Sequence, residues 1–416
     1  MDSDDSDVRG LTPIWYALLT LPGGIAGGFV GVSLSYLLRR NGVSVEAIAG
    51  LVSLGLLPQT WRFLIGPAID VSLSSKRWYL ICIAAEVVCF VVLAFTPLNV
   101  AGMPLLGAVA LALGVATAAA GCSVAAAMAQ TTPDVRRGEV AGWTQTGNLG
   151  GAGLGGGAGL WLAVHAGGPS VAALVLTGVC IVCATPILWL RAPRRQRGAR
   201  FAFQVSALGL TLWALVRARR GVLAALVVTI PAALGAASNL FSAVAGDWRA
   251  SADLVALVTG VLGGLATIPG CILGGYLCDR YPRRFVYVWA ALACAAGEAA
   301  MAWAPHTRSW FAGMVLANAF LLGIGFSALS AVIFDCLGAT AAATVASMLS
   351  SLCNLPLVVM VAVVGWVQAR HGSTAMLLTE AGVAAVSVAG YAALAYAWRP
   401  EEERVAMAAL AGAEAA

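Results

Sequence analysis

The pattern along the chain is a succession of long runs that are apolar on every face, parted by short polar interruptions. It is neither the alternation of a half-buried strand nor the single stripe of a surface helix. Runs of about 20 apolar residues match the thickness of a bilayer core when coiled as helix. Twelve such runs can be delimited, at 14–38, 46–67, 78–96, 102–130, 139–164, 168–190, 221–246, 252–277, 285–304, 308–334, 342–369 and 373–397. They predict an all-α membrane protein of twelve transmembrane helices, numbered here as spans 1 to 12. The longest polar connection, 191–220, falls at mid-chain, and its centre from Phe201 to Val216 is amphipathic and flanked by arginine. Such a segment is expected to lie on the membrane surface. The expected organisation is a tail (1–13), a six-helix bundle (14–190), the linker (191–220), a second six-helix bundle (221–397) and a tail (398–416).

Composition agrees. The chain is 60% hydrophobic and 10% charged, where soluble domains carry about 25% charged residues. A net charge of +5 sits mostly in short loops, which points to topology rather than to nucleic acid. Loops and tails on the terminal side carry 18 Lys and Arg, those on the other side 5, so the positive-inside rule predicts cytoplasmic termini in a bacterial inner membrane. The start, MDSDDSD, lacks a cationic stretch and reads as a tail, not a cleaved signal. Cys180 and Cys183 form a C-x-x-C inside an apolar run and read as small apolar residues. His165, His306 and His371 fall in the outer loops, where they read as interfacial polar residues. Neither metal-ligand spacing nor a phosphate-binding G-x-x-x-x-G-K-[ST] loop occurs, and the loops hold no cluster of His, Asp and Ser. The expectation is a protein that is not an enzyme, uses no cofactor or metal, and is not itself an ATP-driven pump.

Residues 66–77, GPAIDVSLSSKR, and 274–284, GGYLCDRYPRR, each end an even-numbered span with a small residue, an aspartate and a basic pair. Asp70 and Asp279 are 209 residues apart, half the chain. That is an internal repeat, the architecture of transporters whose halves rock around a midplane site.

The second copy resembles the G-x-x-x-D-R-x-x-R-R loop of the major facilitator superfamily. In the first copy, Arg62, Phe63, Leu64, Pro67 and Asp70 resemble the (K/R)-F-L-x-x-P-x-x-D of AmpG-like muropeptide permeases, acetyl-CoA transporters and related siderophore permeases. The likeness continues through TIPGCILGGYLCDR and VVGWVQARHGSTA and covers most of the chain. It departs at Val71, where the family has arginine, and in the fourth span, which lacks the acids of muropeptide permeases. The resemblance implies two pseudo-symmetric bundles and alternating access. It implies proton-coupled import of a medium-sized organic solute, such as a siderophore or muropeptide-like compound, by a monomer; the alternative is efflux of drugs or metabolites. The Gly-Pro pair that drug antiporters carry in span 5 is absent. The resemblance also implies a latch. Asp70 would dock at the start of span 11, around Thr340–Thr344, and Asp279 at the start of span 5, around Gly138–Gly142. Arg280, Arg283 and Arg284 would pair with Asp134 or Glu139 when the cytoplasmic side closes.

Within the spans, polar side chains mark a solute path, because facing lipid would cost them several kcal/mol. Gln59 and Arg62 (span 2), Gln145 and Asn148 (span 5), Asn318 (span 10) and Asn354 (span 11) form the expected ring. Asn354 precedes Pro356, where the helix is expected to loosen. Arg62 either receives a carboxylate or phosphate of the solute, or pairs with Asp335, or snorkels to the cytoplasm. Glu86 (span 3) and Glu298 (span 9) are candidate proton carriers, or neutral acids bonded to a neighbouring helix; Glu380 lies near the outer end of span 12. Gly147, Gly151, Gly155 and Gly159 share one face of span 5, and span 8 carries Gly260, Gly264, Gly270 and Gly274. These are expected to let spans 5 and 8 approach closely across the two halves.

Overall fold

The structure, a computed structural model, describes residues 12–131, 137–190, 209, 213, 217, 219–229, 235–335 and 342–397. Both tails, most of the linker with its expected surface helix, the 132–136 loop and the segment entering span 11 lie outside the described residues. A chain in lipid has no water for its amides and carbonyls, so each crossing must close its own hydrogen bonds. The described crossings are accordingly helical. Spans 3 (Ser75–Phe95), 4 (Met103–Thr131), 9 (Arg283–Trp303) and 10 (Arg308–Asp335) are unbroken. Span 6 is Pro169–Ala184 and ends in a tighter turn, Thr185–Trp189. Spans 11 and 12 occupy Ala342–Ala397 and turn back at Gly372, whose φ of 82° is open to glycine at little cost. Serine caps three of the helix starts: Ser44 accepts from Ala47, Ser74 from Arg77 and Ser251 from Leu254.

The other spans are interrupted. Spans 1, 5 and 8 each pass through a wide turn, at Phe29–Leu34, Leu154–Ala158 and Ala256–Leu262, and the three turns pack together. Carbonyls loosened there are satisfied by hydroxyls: Ser33 donates to Gly155 (2.8 Å) and Gly156 (3.0 Å), Ser35 to Val30 (2.9 Å) and Ser242 to Gly31 (2.9 Å). Span 2 is Val45–Thr60 and Arg62–Val71, broken at Trp61. Span 7, expected as one helix, is Arg219–Val228 followed after Gly235 by the short turns Ala237–Leu240, Phe241–Val244 and Ala245–Trp248. The proline expectation also needs correction. Pro22, Pro269 and Pro356 all sit inside continuing helices, so Asn354 is not at a break. In lipid the neighbouring groups re-satisfy what proline frees.

Span 1 packs along span 5, spans 2 and 3 on span 4, and span 3 on span 6; in the second half spans 8 and 9 pack on span 10. The halves meet through spans 2 with 11 and 5 with 8. The two repeats keep register well: spans 3 and 9 are both 21 residues long, and Tyr79 and Tyr287 each occupy the fifth position, fully buried.

The glycine stripe of span 5 serves a different contact from the one expected. A methyl group at Gly147, Gly151 or Gly155 would strike the span 1 backbone at Ala17, Leu21 or Ile25. The stripe is therefore a seam within the first half. The contact across halves is made by the neighbouring face, where Gly157 meets Gly260 of span 8, while Gly270 and Gly274 of span 8 fit against Phe320 and Ile324 of span 10. Four-residue spacing identifies a face but not its partner. Gly151→Leu is expected to abolish the span 1–span 5 seam and lower the melting temperature of the purified protein strongly. Gly178→Leu, at an exposed position with nothing within 4 Å, should leave it within error. Equal melting of the two variants would show the seam to be unimportant.

Candidate functional site

Lys76, Arg77, Arg280, Arg283 and Arg284 mark one side of the molecule, called here the basic side. Several of the described contacts between the halves lie toward the opposite side. There Ser53 donates to the Val358 carbonyl (3.2 Å), and Gly365 of span 11 lies against Ala49 of span 2 with no room for a side chain. At the rim two ion pairs cross from half to half, His165–Asp253 at 3.5 Å and Arg370–Glu46 at 3.7 Å. They are the same device built twice. His165 and Arg370 end spans 5 and 11, 205 residues apart; Glu46 and Asp253 begin spans 2 and 8, 207 apart, each two residues after its capping serine. Each base also lies on a tryptophan one turn earlier: His165 stacks on Trp161 (5.3 Å) and Arg370 covers Trp366 (4.2 Å). His165 is thus part of a cross-half contact and not merely an interfacial polar residue. The pairs differ in one respect, since the imidazole is charged only when protonated.

Toward the basic side lies the break in span 2. Thr60 turns its hydroxyl onto the Leu57 carbonyl (2.7 Å), which the Trp61 amide would otherwise use, and the helix restarts at Arg62. The freed amide of Phe63 donates to Ser351 of span 11 (3.2 Å), in the other half. The half-buried Arg62 side chain runs along span 4, its Nε 3.3 Å from the Cys122 sulfur and its guanidinium over Gly121, where a methyl group would come within 2.7 Å. No acid pairs with it among the described residues; the side chain of Asp335 lies outside them. One turn along span 11 from Ser351, Asn354 donates to the Ser350 carbonyl (2.7 Å) and leaves its oxygen for another partner. The structure therefore brings Arg62 and the Ser351–Asn354 turn together at the join of spans 2, 4 and 11. Ser351, Gly121 and Cys122 were not legible in advance, because short apolar and hydroxyl side chains give no signal in an apolar run.

The remaining ring residues are placed as follows. Gln59 is half-buried, one turn before Arg62. Gln145 and Asn148 are exposed; Gln145 points about 180–200° away from the exposed Trp143 and Leu154 of the same helix, at 100° per residue. Asn318 is buried with its amide nitrogen unpartnered. Glu86 and Glu298 are buried, and among the described residues neither oxygen of either is bonded, so the expected hydrogen bond to a neighbouring helix is not found there. Glu86 is also not the register counterpart of Glu298. It is the twelfth residue of span 3, and Glu298 the sixteenth of span 9. Of the latch residues, Asp279 is exposed, and Arg280 lies over the Tyr276 ring at 4.2 Å. Arg283 and Arg284 start span 9. The side chains of Asp70, Glu139 and the span 5 and span 11 docking turns lie outside the described residues, as does Asp134.

The family model described as Major Facilitator Superfamily matches residues 16–360. Among solved structures, a D-xylose–proton symporter superposes with a TM-score of 0.68 at 15% identity, over 93% of this chain and 98% of that one. A mutant form of the nucleoside transporter NupG gives 0.72 at 14% identity, over 92% and 98%. The inward open conformation of the xylose transporter XylE from E. coli gives 0.66 at 14%, over 90% and 95%. No curated protein sequence matches.

The paired ion contacts generate a measurable expectation. An exposed pair is worth about 0.2–1 kcal/mol, so losing both shifts the closed-to-open ratio about 2- to 30-fold. Spin labels on Asn99 and Thr307, in loops of opposite halves at that rim, should show a larger long-distance population in Glu46→Gln/Asp253→Asn than in either single variant. An unchanged distance distribution would mean that the packed glycines alone hold the rim.

Proposed function

The chain belongs to the major facilitator superfamily, and from that premise we propose that it is a proton-coupled importer, by alternating access, of a medium-sized organic solute carrying an anionic group. The superfamily membership makes it a transporter rather than an enzyme. A muropeptide-like compound suits the proposal through its carboxylates, and so does a siderophore of the carboxylate-bearing kind. We place the basic side in the cytoplasm of a bacterial inner membrane, on the Lys and Arg count. On that reading the rim joined by the two ion pairs faces outward, and the exposed Asp279 faces the cytoplasm.

The observation that carries the proposal is Arg62. A guanidinium inside a span, with no acid opposite it among the described residues, is costly unless an anion arrives. Its planar fork can receive a carboxylate or phosphate through two parallel hydrogen bonds. Its position adds a mechanical consequence. Arg62 opens the inner segment of span 2, and the next residue is bonded to the other half through Ser351. A solute held at Arg62 therefore sits where the two halves touch, and pulls on the short helix that ends at the latch loop. Gln145, Asn148 and Asn354 supply the neutral polar wall. Glu298 and Glu86 are the proposed proton carriers, with Asp70, Asp279, Arg280, Arg283 and Arg284 gating the cytoplasmic side.

The test is binding and uptake with purified protein in vesicles, using labelled anionic candidates and their neutral analogues. Arg62→Lys keeps the charge but loses the fork, so affinity for the anionic solute should fall by about 1–2 kcal/mol, a 5- to 30-fold weakening. Arg62→Gln should weaken anionic solutes further and leave a neutral analogue within twofold or so. Equal binding by wild type and both variants, with only the melting temperature changed, would make Arg62 a packing residue of span 4.

A further inference from the structure

Span 7 restarts inside the membrane. Gly235, at φ 67°, precedes the turn Ala237–Leu240, and a side chain there would strike Ser238 and Leu322. A helix restart exposes its first amides, and lipid offers them nothing. Ala236 and Ala237 donate theirs to the two oxygens of one carboxyl group, that of Glu380 on span 12; the Ala236 bond is 2.8 Å. Glu380 is 0% exposed.

A second acid stands beside it. Glu298 of span 9 is 1% exposed, neither of its oxygens has a hydrogen-bond partner, and each acid is near enough to act electrostatically on the other. Ala295, one turn before Glu298, packs with Ala381 and Ala384 of span 12, which brings the two acids to one level. Among the described residues the other titratable groups around them are Cys294, which faces both, and Tyr287, two turns before Cys294 and between it and Cys353. None is cationic. Two neighbouring carboxyl groups in a low dielectric cannot both be ionised. Donors decide which holds the charge: Glu380 receives two amides, Glu298 none.

We propose that Glu298 and Glu380 form a proton-binding pair that controls the bend of span 7, with the charge on Glu380 and the shared proton on Glu298. A second proton, added to a Glu380 oxygen, neutralises the pair and weakens both amide bonds. The restart at Ala236 and Ala237 then loosens, and the outer part of span 7, which is bonded to span 1 through Ser242 and Gly31, is released to move. Loss of the same proton restores the clamp. The pair stands on geometry; its use in transport rests on the proton-coupled reading above.

The experiment is hydrogen–deuterium exchange of the full-length protein in lipid nanodiscs, following peptides that cover 235–244 from alkaline to acidic pH, with intrinsic exchange rates divided out. In wild type, protection of this segment should fall about tenfold or more on acidification, as local opening becomes easier. Glu298→Gln removes the proton that the pair shares with the charged Glu380 carboxylate, so Glu380 is protonated more readily and the fall should move to higher pH. Glu380→Gln should show low protection at every pH, and Glu380→Asp, too short to reach both amides, an intermediate level. Protection independent of pH in wild type, or a Glu298→Gln profile superimposable on wild type, overturns the pair even if Glu380→Gln does not fold. If the segment responds as described while a proton gradient fails to drive uptake of any candidate, the pair stands and the proton-coupled reading falls.

Discussion

Every departure of a backbone group from its helix must be repaid inside the protein, because the bilayer offers no water. That constraint explains why each irregular point of this chain has a named partner beside it. Ser33 holds the carbonyls loosened in span 5, Ser242 reaches across to span 1, Ser351 takes the amide freed in span 2, and Glu380 takes two amides freed in span 7. All four repairs connect different helices, two of them across the halves and two within one bundle, at places where a rigid crossing would have no need of them. The interruptions thus carry polar contacts between helices, while spans 3, 4, 9 and 10 are unbroken rods.

The duplicated architecture shows where the two halves are free to differ. Geometry is shared between the repeats at the rim opposite the basic side, down to the capping serine, the acid two residues later and the tryptophan beneath the base. Chemistry is not: one latch uses arginine, which is always charged, and the other histidine, which is not. The buried acids diverge further. Glu86 stands at the register position of Cys294, among Tyr79, Cys82, Cys89 and Cys180, with no second carboxyl beside it among the described residues. Glu298 has Glu380. The halves share a frame but carry different polar groups within their spans, the half-buried Arg62 in the first half and the pair of buried acids in the second.

Rocking of such halves needs faces that slide and faces that do not. The span 1–span 5 seam, closed by Gly147, Gly151 and Gly155, has backbone against backbone along its length and behaves as part of one rigid body. The contact between Gly157 and Gly260 lies within the two wide turns and brings the backbones of the two halves together. A narrow contact of small residues lets the bundles pivot where a long interdigitated one would lock them.

The sequence by itself determined the helical membrane fold and the superfamily, though not the narrower permease group, because bilayer thickness and charge asymmetry act on each segment independently of the rest. Arg62, Glu86 and Glu298 stood out for the same reason: a charge or acid in an apolar run is conspicuous whatever surrounds it. What the sequence left open was pairing. The glycine stripe of span 5 was legible as a face, but only packing assigned it to span 1 instead of span 8. His165 and Asp253 are 88 residues apart, and Glu380 and Ala236 are 144 apart; nothing local in either segment announces the other. Pro356 carried the local signal for a break and has none, while Trp61 breaks its helix because Thr60 competes for a carbonyl and Ser351 of the other half accepts the freed amide. Tertiary structure decided these points, since the free energy of a polar group in lipid depends on the partner it reaches and not on its neighbours in the chain.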